Sequence, residues 1–130
     1  MRKILLIEDD PPTIEIYKEI LKKAKFEVEV LEWGKDGLDA LEAIKDGKKE
    51  KPDLVLLDLI LPDINGIEIL RKAKLDEKLK DIPVFVLTNY SDVKLEKESF
   101  QLGVERYIVK ANYTPAQIVN AIKNRLKKKK

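Results

Sequence analysis

Five short apolar runs punctuate the chain, with patterns of helical period between them. The runs are Ile4-Leu5-Leu6-Ile7, Val28-Glu29-Val30-Leu31, Leu54-Val55-Leu56-Leu57, Val84-Phe85-Val86-Leu87 and Tyr107-Ile108-Val109. All but the second lack polar alternation, which predicts strands covered on both faces, as in a parallel sheet. The second is interleaved with Glu27, Glu29 and Glu32 and predicts an edge strand. Between the runs, Ile14, Tyr17, Ile20, Leu21 and Ala24 form a first helical stripe, which Asp10 caps with Pro11 next. Leu38, Leu41 and Ile44 form a second, ending near Gly47, and Ile67, Leu70 and Ala73 a third. Val93 and Phe100 make a poor fourth stripe, which predicts a loosely held helix. Ile118, Val119, Ile122 and Leu126 make a clear fifth, capped by Thr114 with Pro115 next.

Strands alternating with helices imply a parallel sheet wound by right-handed crossovers. Five such units fit an α/β flavodoxin-like (βα)5 fold, a doubly wound three-layer sandwich with strand order 2-1-3-4-5. In that architecture ligands sit at the carboxyl ends of the strands, near the topological switch point. No repeat, low-complexity linker or break marks a second domain, and 130 residues suit one domain.

Composition narrows the chemistry. The chain has no Cys and no His, which removes disulfides, thiol nucleophiles, imidazole bases and HExxH zinc sites. Carboxylates, hydroxyls and lysines remain. The formal charge of +2 hides a slightly acidic body, because Lys127 to Lys130 close the chain. Such a tail suits either an anionic partner or, more simply, the solvated negative end of a helix dipole. The apolar runs are too short to span a membrane, and Met1-Arg2-Lys3 leads directly into a strand rather than a secretory signal. The expectation is a soluble cytoplasmic protein.

The predicted strand ends carry the polar residues. The first runs into Glu8, Asp9 and Asp10; the third into Asp58; the fourth into Thr88 and Asn89; the fifth into Lys110. Clustered carboxylates repel unless a cation joins them, and such an oxygen-rich site suits Mg²⁺. An added lysine and hydroxyl suit a phosphoryl group, and an Asp can itself be the nucleophile that forms an aspartyl phosphate. The alternative is that these acids are helix caps. Asp10 fits that description, whereas Asp58 has no helix immediately after it.

Ile7-Glu8-Asp9-Asp10, Leu56-Leu57-Asp58-Leu59-Ile60-Leu61-Pro62-Asp63-Ile64-Asn65-Gly66, Leu87-Thr88-Asn89 and Tyr107-Ile108-Val109-Lys110 together resemble the CheY-like receiver domain of two-component response regulators. The likeness spans essentially the whole chain, with residues 1–127 as the receiver domain and 128–130 as a basic tail. Its most specific piece is D-x-x-x-P-x-x-x-G, from Asp58 through Pro62 to Gly66. The resemblance implies that Asp58 accepts a phosphoryl group from a sensor histidine kinase or a histidine phosphotransfer protein. It implies Mg²⁺ held by Asp9, Asp58 and the backbone carbonyl of Ile60, with Glu8 acting largely through water. Thr88 and Lys110 would contact phosphoryl oxygens, Tyr107 would be the switch aromatic, and Asp10 and Asn89 are further candidates. The readout would be the face of the fourth helix, fifth strand and fifth helix. A downstream protein would bind there, with the chain a monomer or a phosphorylation-dependent dimer. No direct contact with nucleic acid or membrane is expected, and no catalytic turnover.

Two departures stand out. The family usually has Pro after the lysine, joined by a cis bond; here Ala111 follows Lys110, and the expectation is a trans bond. Ile60 and Tyr90, two positions after Asp58 and Thr88, offer no carboxylate or amide to orient water, which predicts slow loss of the phosphoryl group. Ile60 also argues against a haloacid-dehalogenase-type phosphatase, which wants an Asp there as general acid. A non-phosphorylated binding module, or an engineered or thermostable scaffold of the same fold, is the remaining alternative. With only lysines after the last helix, the chain reads as a stand-alone regulator or a piece of a longer one.

Overall fold

The computed structural model describes residues 1–89 and 91–127. The elements in chain order are β1 (Arg2–Ile7), α1 (Pro11–Lys23), β2 (Phe26–Leu31), α2 (Gly34–Lys45), β3 (Leu54–Leu57), α3 (Gly66–Leu75), β4 (Val84–Thr88), α4 (Val93–Leu102), β5 (Arg106–Val109) and α5 (Pro115–Leu126). The strands pair in parallel in the order β2-β1-β3-β4-β5, as expected. The basic tail expected at 128–130 lies outside the described residues.

Successive residues of each central strand enter opposite cores, which explains the missing polar alternation. Leu5 and Ile7, Val55 and Leu57, and Val84 and Val86 pack with Leu41, Ile69 and Leu70 on the side of α2 and α3. Ile4 and Leu6, Leu54 and Leu56, and Phe85 and Leu87 pack with Tyr17, Leu21, Ile118 and Ile122 of α1 and α5. Sharing one strand between two cores also pins its register, since a slip of one residue would exchange the two sets. On the edge strand β2, Glu29 pairs with Lys3 at 3.0 Å and Lys49 at 2.7 Å.

The predicted caps form. Asp10 accepts from the Thr13 amide at 3.2 Å, and Thr114 with Gln117 completes a reciprocal capping box on α5. The fourth stripe differs from expectation: Val93 is 83% and Phe100 47% exposed. Helix α4 instead packs through Leu95 and Leu102, with Ser99 buried between them and its hydroxyl bonded to the Leu95 carbonyl at 2.8 Å. Spacing of four and three sets that inward face, and a polar residue in its middle hid it from a search for apolar positions.

Candidate functional site

Strand register brings the first acids together. Ile7 lies opposite Leu57, and the Asp58 amide extends the ladder to the Ile7 carbonyl at 2.9 Å, so Glu8 and Asp58 leave adjacent strands side by side. Asp9 follows at once, and one carboxylate oxygen from each of Glu8, Asp9 and Asp58 lies within 4.8 Å of the others. Glu8 and Asp58 are buried, Asp9 half-buried. Lys110, just past β5, places Nζ 2.9 Å from Glu8 Oε1 and 3.7 Å from Asp58 Oδ2. The other Glu8 oxygen accepts from the Asp10 amide at 3.1 Å.

The electrostatics follow from that crowding. Burial is the main reason that the Asp58 carboxyl is pushed up from 3.8 to about 7. The Ile60 amide, donating to Asp58 Oδ1 at 3.0 Å, and the Lys110 charge pull it down, while Glu8 pushes it up. A divalent cation relieves this repulsion, and three mutually close hard oxygen donors fit one such as Mg²⁺ or Mn²⁺.

The other expected residues lie on or just past β1, β3, β4 and β5. Thr88 is fully buried at the end of β4. Tyr107 is 9% exposed and pairs with Val86, so Thr88, two residues further along, shares its face of the sheet. Burial, then the charges of Asp92 and Glu96 at the start of α4, raises the Tyr107 hydroxyl above its ordinary value. Asn89 is exposed, and Asp10 caps α1 outside the three-acid cluster. The Lys110–Ala111 bond is trans, and the chain turns through a short 3₁₀ segment, Lys110–Asn112. Ile60 is 48% exposed, and its amide donates to Asp58. Tyr90 lies outside the described residues.

One functional candidate was hidden from the sequence. Asp63 in the loop after β3 accepts from Gly34 N at 2.8 Å and Lys35 N at 2.9 Å, supplying the cap that α2 lacks from its own Trp33. The signal available was negative: no Ser, Thr, Asp or Asn stands at position 33 before this helix.

A doubly wound (βα)5 fold that gathers three carboxylates, a hydroxyl and an ammonium at its strand ends defines the receiver class of signalling modules. The chain belongs to the response regulator receiver domain family, whose model matches residues 4–123. The DNA-binding response regulator MtrA of Mycolicibacterium smegmatis is 33% identical over 127 residues, 98% of this chain but 51% of MtrA. The chain thus spans about half the length of that curated relative. The Mn²⁺-bound response regulator Rcp1 has 29% identity and a TM-score of 0.86, with 100% of this chain and 98% of that one covered. The phosphorylated cyanobacterial phytochrome response regulator RcpA has 33% identity and a TM-score of 0.83, with 95% and 91% covered. Among the described residues no helix is long and apolar enough to cross a membrane.

Proposed function

We propose that this chain is a cytoplasmic phosphoryl acceptor. Asp58 takes the group from a phosphohistidine of a sensor kinase or phosphotransfer protein. The donor histidine lies outside these 130 residues, which contain none. The observation that carries the reading is the Asp58 carboxylate, buried at the end of β3 with two other carboxylates within 4.8 Å and the Lys110 ammonium at 3.7 Å. The likeness to Mn²⁺-bound Rcp1 and phosphorylated RcpA supports it.

An Asp58 oxygen attacks phosphorus as the nitrogen–phosphorus bond breaks, and the histidine nitrogen keeps the bonding pair. Asp9, Asp58 and the Ile60 carbonyl, with Glu8 behind, would hold Mg²⁺, which would supply charge neutralisation at the phosphoryl oxygens. Lys110 exchanges its carboxylate partners for one phosphoryl oxygen, and the Thr88 hydroxyl donates to another. The Ile60 amide keeps the attacking carboxylate aimed. Movement of Thr88 along the face it shares with Tyr107 then alters packing under α4. That change is read by a downstream protein on the α4–β5–α5 surface. The role is stoichiometric acceptance rather than catalytic turnover.

Incubation with acetyl phosphate and Mg²⁺, followed by intact mass, is the test. One phosphoryl group should add to the native chain and none to Asp58→Asn. No adduct, together with no binding of beryllofluoride, would overturn the reading in favour of a non-phosphorylated binding module.

A further inference from the structure

The nine residues from Asp58 to Gly66 form a closed hairpin rather than a free loop. Ile60 bridges Asn65, the Gly66 amide bonds the Leu59 carbonyl at 2.8 Å, and the Ile60 amide bonds Asp58 Oδ1 at 3.0 Å. Its apex rests on α2 at two points. Asp63 takes the Gly34 and Lys35 amides at 2.8 and 2.9 Å, and Ile64 lies so close that a Cβ on Gly34 would meet its Cγ1 at 2.3 Å. Those amides, that of Lys35 first, hold the Asp63 carboxyl below its usual range, so it stays charged against the positive end of the helix.

We infer that Asp63 is a positioning residue for phosphoryl acceptance, clamping the 59–66 hairpin to α2 and so fixing the Ile60 amide on the Asp58 carboxylate. This rests on the reading of Asp58 as acceptor. A helix is a stiffer anchor than a surface loop, and the hairpin carries the fix from its apex back to Ile60 through the Ile60–Asn65 bridge.

The test compares the full-length native chain with Asp63→Ala, Asp63→Asn and the control Asp53→Asn. The control weakens an amide–carboxylate bond of similar kind, Lys3 N to Asp53 at 2.7 Å, at the opposite edge of the sheet. Three quantities are measured: phosphorylation rate with acetyl phosphate at saturating Mg²⁺, the Ile60 amide resonance with its Mg²⁺ titration, and stability in urea. Asp63→Ala should phosphorylate about tenfold more slowly, in the range found when groups that orient metal ligands are removed. Its Ile60 resonance should move before any Mg²⁺ is added. Asp63→Asn keeps one acceptor oxygen and should recover part of both effects; it also carries the test if the alanine variant does not fold. Asp53→Asn should leave the rate unchanged. A variant that loses stability but keeps the native rate and the native Ile60 resonance overturns the inference, making Asp63 a helix cap alone. A native chain that binds Mg²⁺ but takes no phosphoryl group overturns the proposed function, while the Ile60 resonance and Mg²⁺ affinity still judge Asp63. A native chain that binds neither overturns both.

Discussion

Lys110 Nζ donates to Glu8 Oε1 at 2.9 Å across 102 positions of sequence, joining the end of β5 to the end of β1. Glu8 is 1% exposed, so Lys110 is the cation that makes its burial tolerable. Removing one member of a buried pair commonly costs about 3–5 kcal/mol. Lys110 keeps some solvent contact, and Lys110→Met should cost about 2 kcal/mol in urea unfolding with chelator present. Added Mg²⁺ should return most of the loss, since a cation again faces the acids. Unchanged stability in chelator would show that the pair carries no net weight.

The Asp58 carboxyl sets a pH dependence for the metal-free protein. Its folded pKa of about 7 exceeds the ordinary 3.8, so the native state holds a proton that the unfolded chain has released. Stability contributed by that proton is complete below the unfolded value and is lost as pH rises through the folded one. Asp58→Asn, which cannot ionise, should match the native chain near the lower limit and become the more stable of the two toward pH 8. Thermal unfolding in chelator across that range reads it. A gap that shrinks as pH rises would reverse the sign.

Slow hydrolysis is expected of the phosphorylated chain, because half-exposed Ile60, two positions after Asp58, has no side-chain polar group to orient a water. Ile60→Asn should quicken decay by about tenfold or more, as a positioned polar group does in proton-assisted steps. Loss of the mass adduct after acetyl phosphate is removed gives both rates. Decay of the native chain within seconds, with no acceleration in the variant, would count against Ile60 having this role.

Gly66 is required by the hairpin under the site. A Cβ there would meet Leu59 Cα at 2.5 Å, the Asp58 carbonyl oxygen at 2.7 Å and that of Leu59 at 2.8 Å, all backbone. Gly66→Ala should therefore cost about 3 kcal/mol in urea unfolding. Gly47, at φ +78 with open space around it, should accept Asn with little loss. Equal effects at the two positions would contradict the crowding at Gly66.

Helix α4 should be the least protected of the helices flanking β4. Ser99 is its one fully buried residue among those described, whereas α3 buries Ile67, Ile69, Leu70 and Ala73. Hydrogen exchange should run faster over 93–102 than over 66–75. Slower exchange in α3 on adding a phosphoryl mimic, with α4 unchanged, would place the responsive element elsewhere.

Much of this was legible along the chain. The unbroken apolar runs foretold strands shared by two cores, and Asp10-Pro11 and Thr114-Pro115 marked the starts of α1 and α5. The acids, the hydroxyl and the lysine at strand ends pointed to one edge of the sheet. Helix α4 was less legible because its buried centre is a serine, whose hydroxyl is satisfied within its own helix. Asp63 was read only as part of a motif, because its partners lie nearly thirty positions earlier and are backbone amides that no side chain advertises.

By itself, the sequence determined the order of the elements, the two-sided burial of the sheet and which residue types stand at its carboxyl edge. Those follow from periodicity and capping, which act over a few neighbouring residues. The tertiary structure alone decided the distances: Lys110 on Glu8 and beside Asp58, and Asp63 on α2. Each of these depends on strand register and on how closely helices pack against the sheet. A carboxylate has the same local signature whether it faces a lysine, a helix end or water. Only the assembled layers choose among those partners, because charge and hydrogen bonding act over a few ångströms of space rather than along the chain.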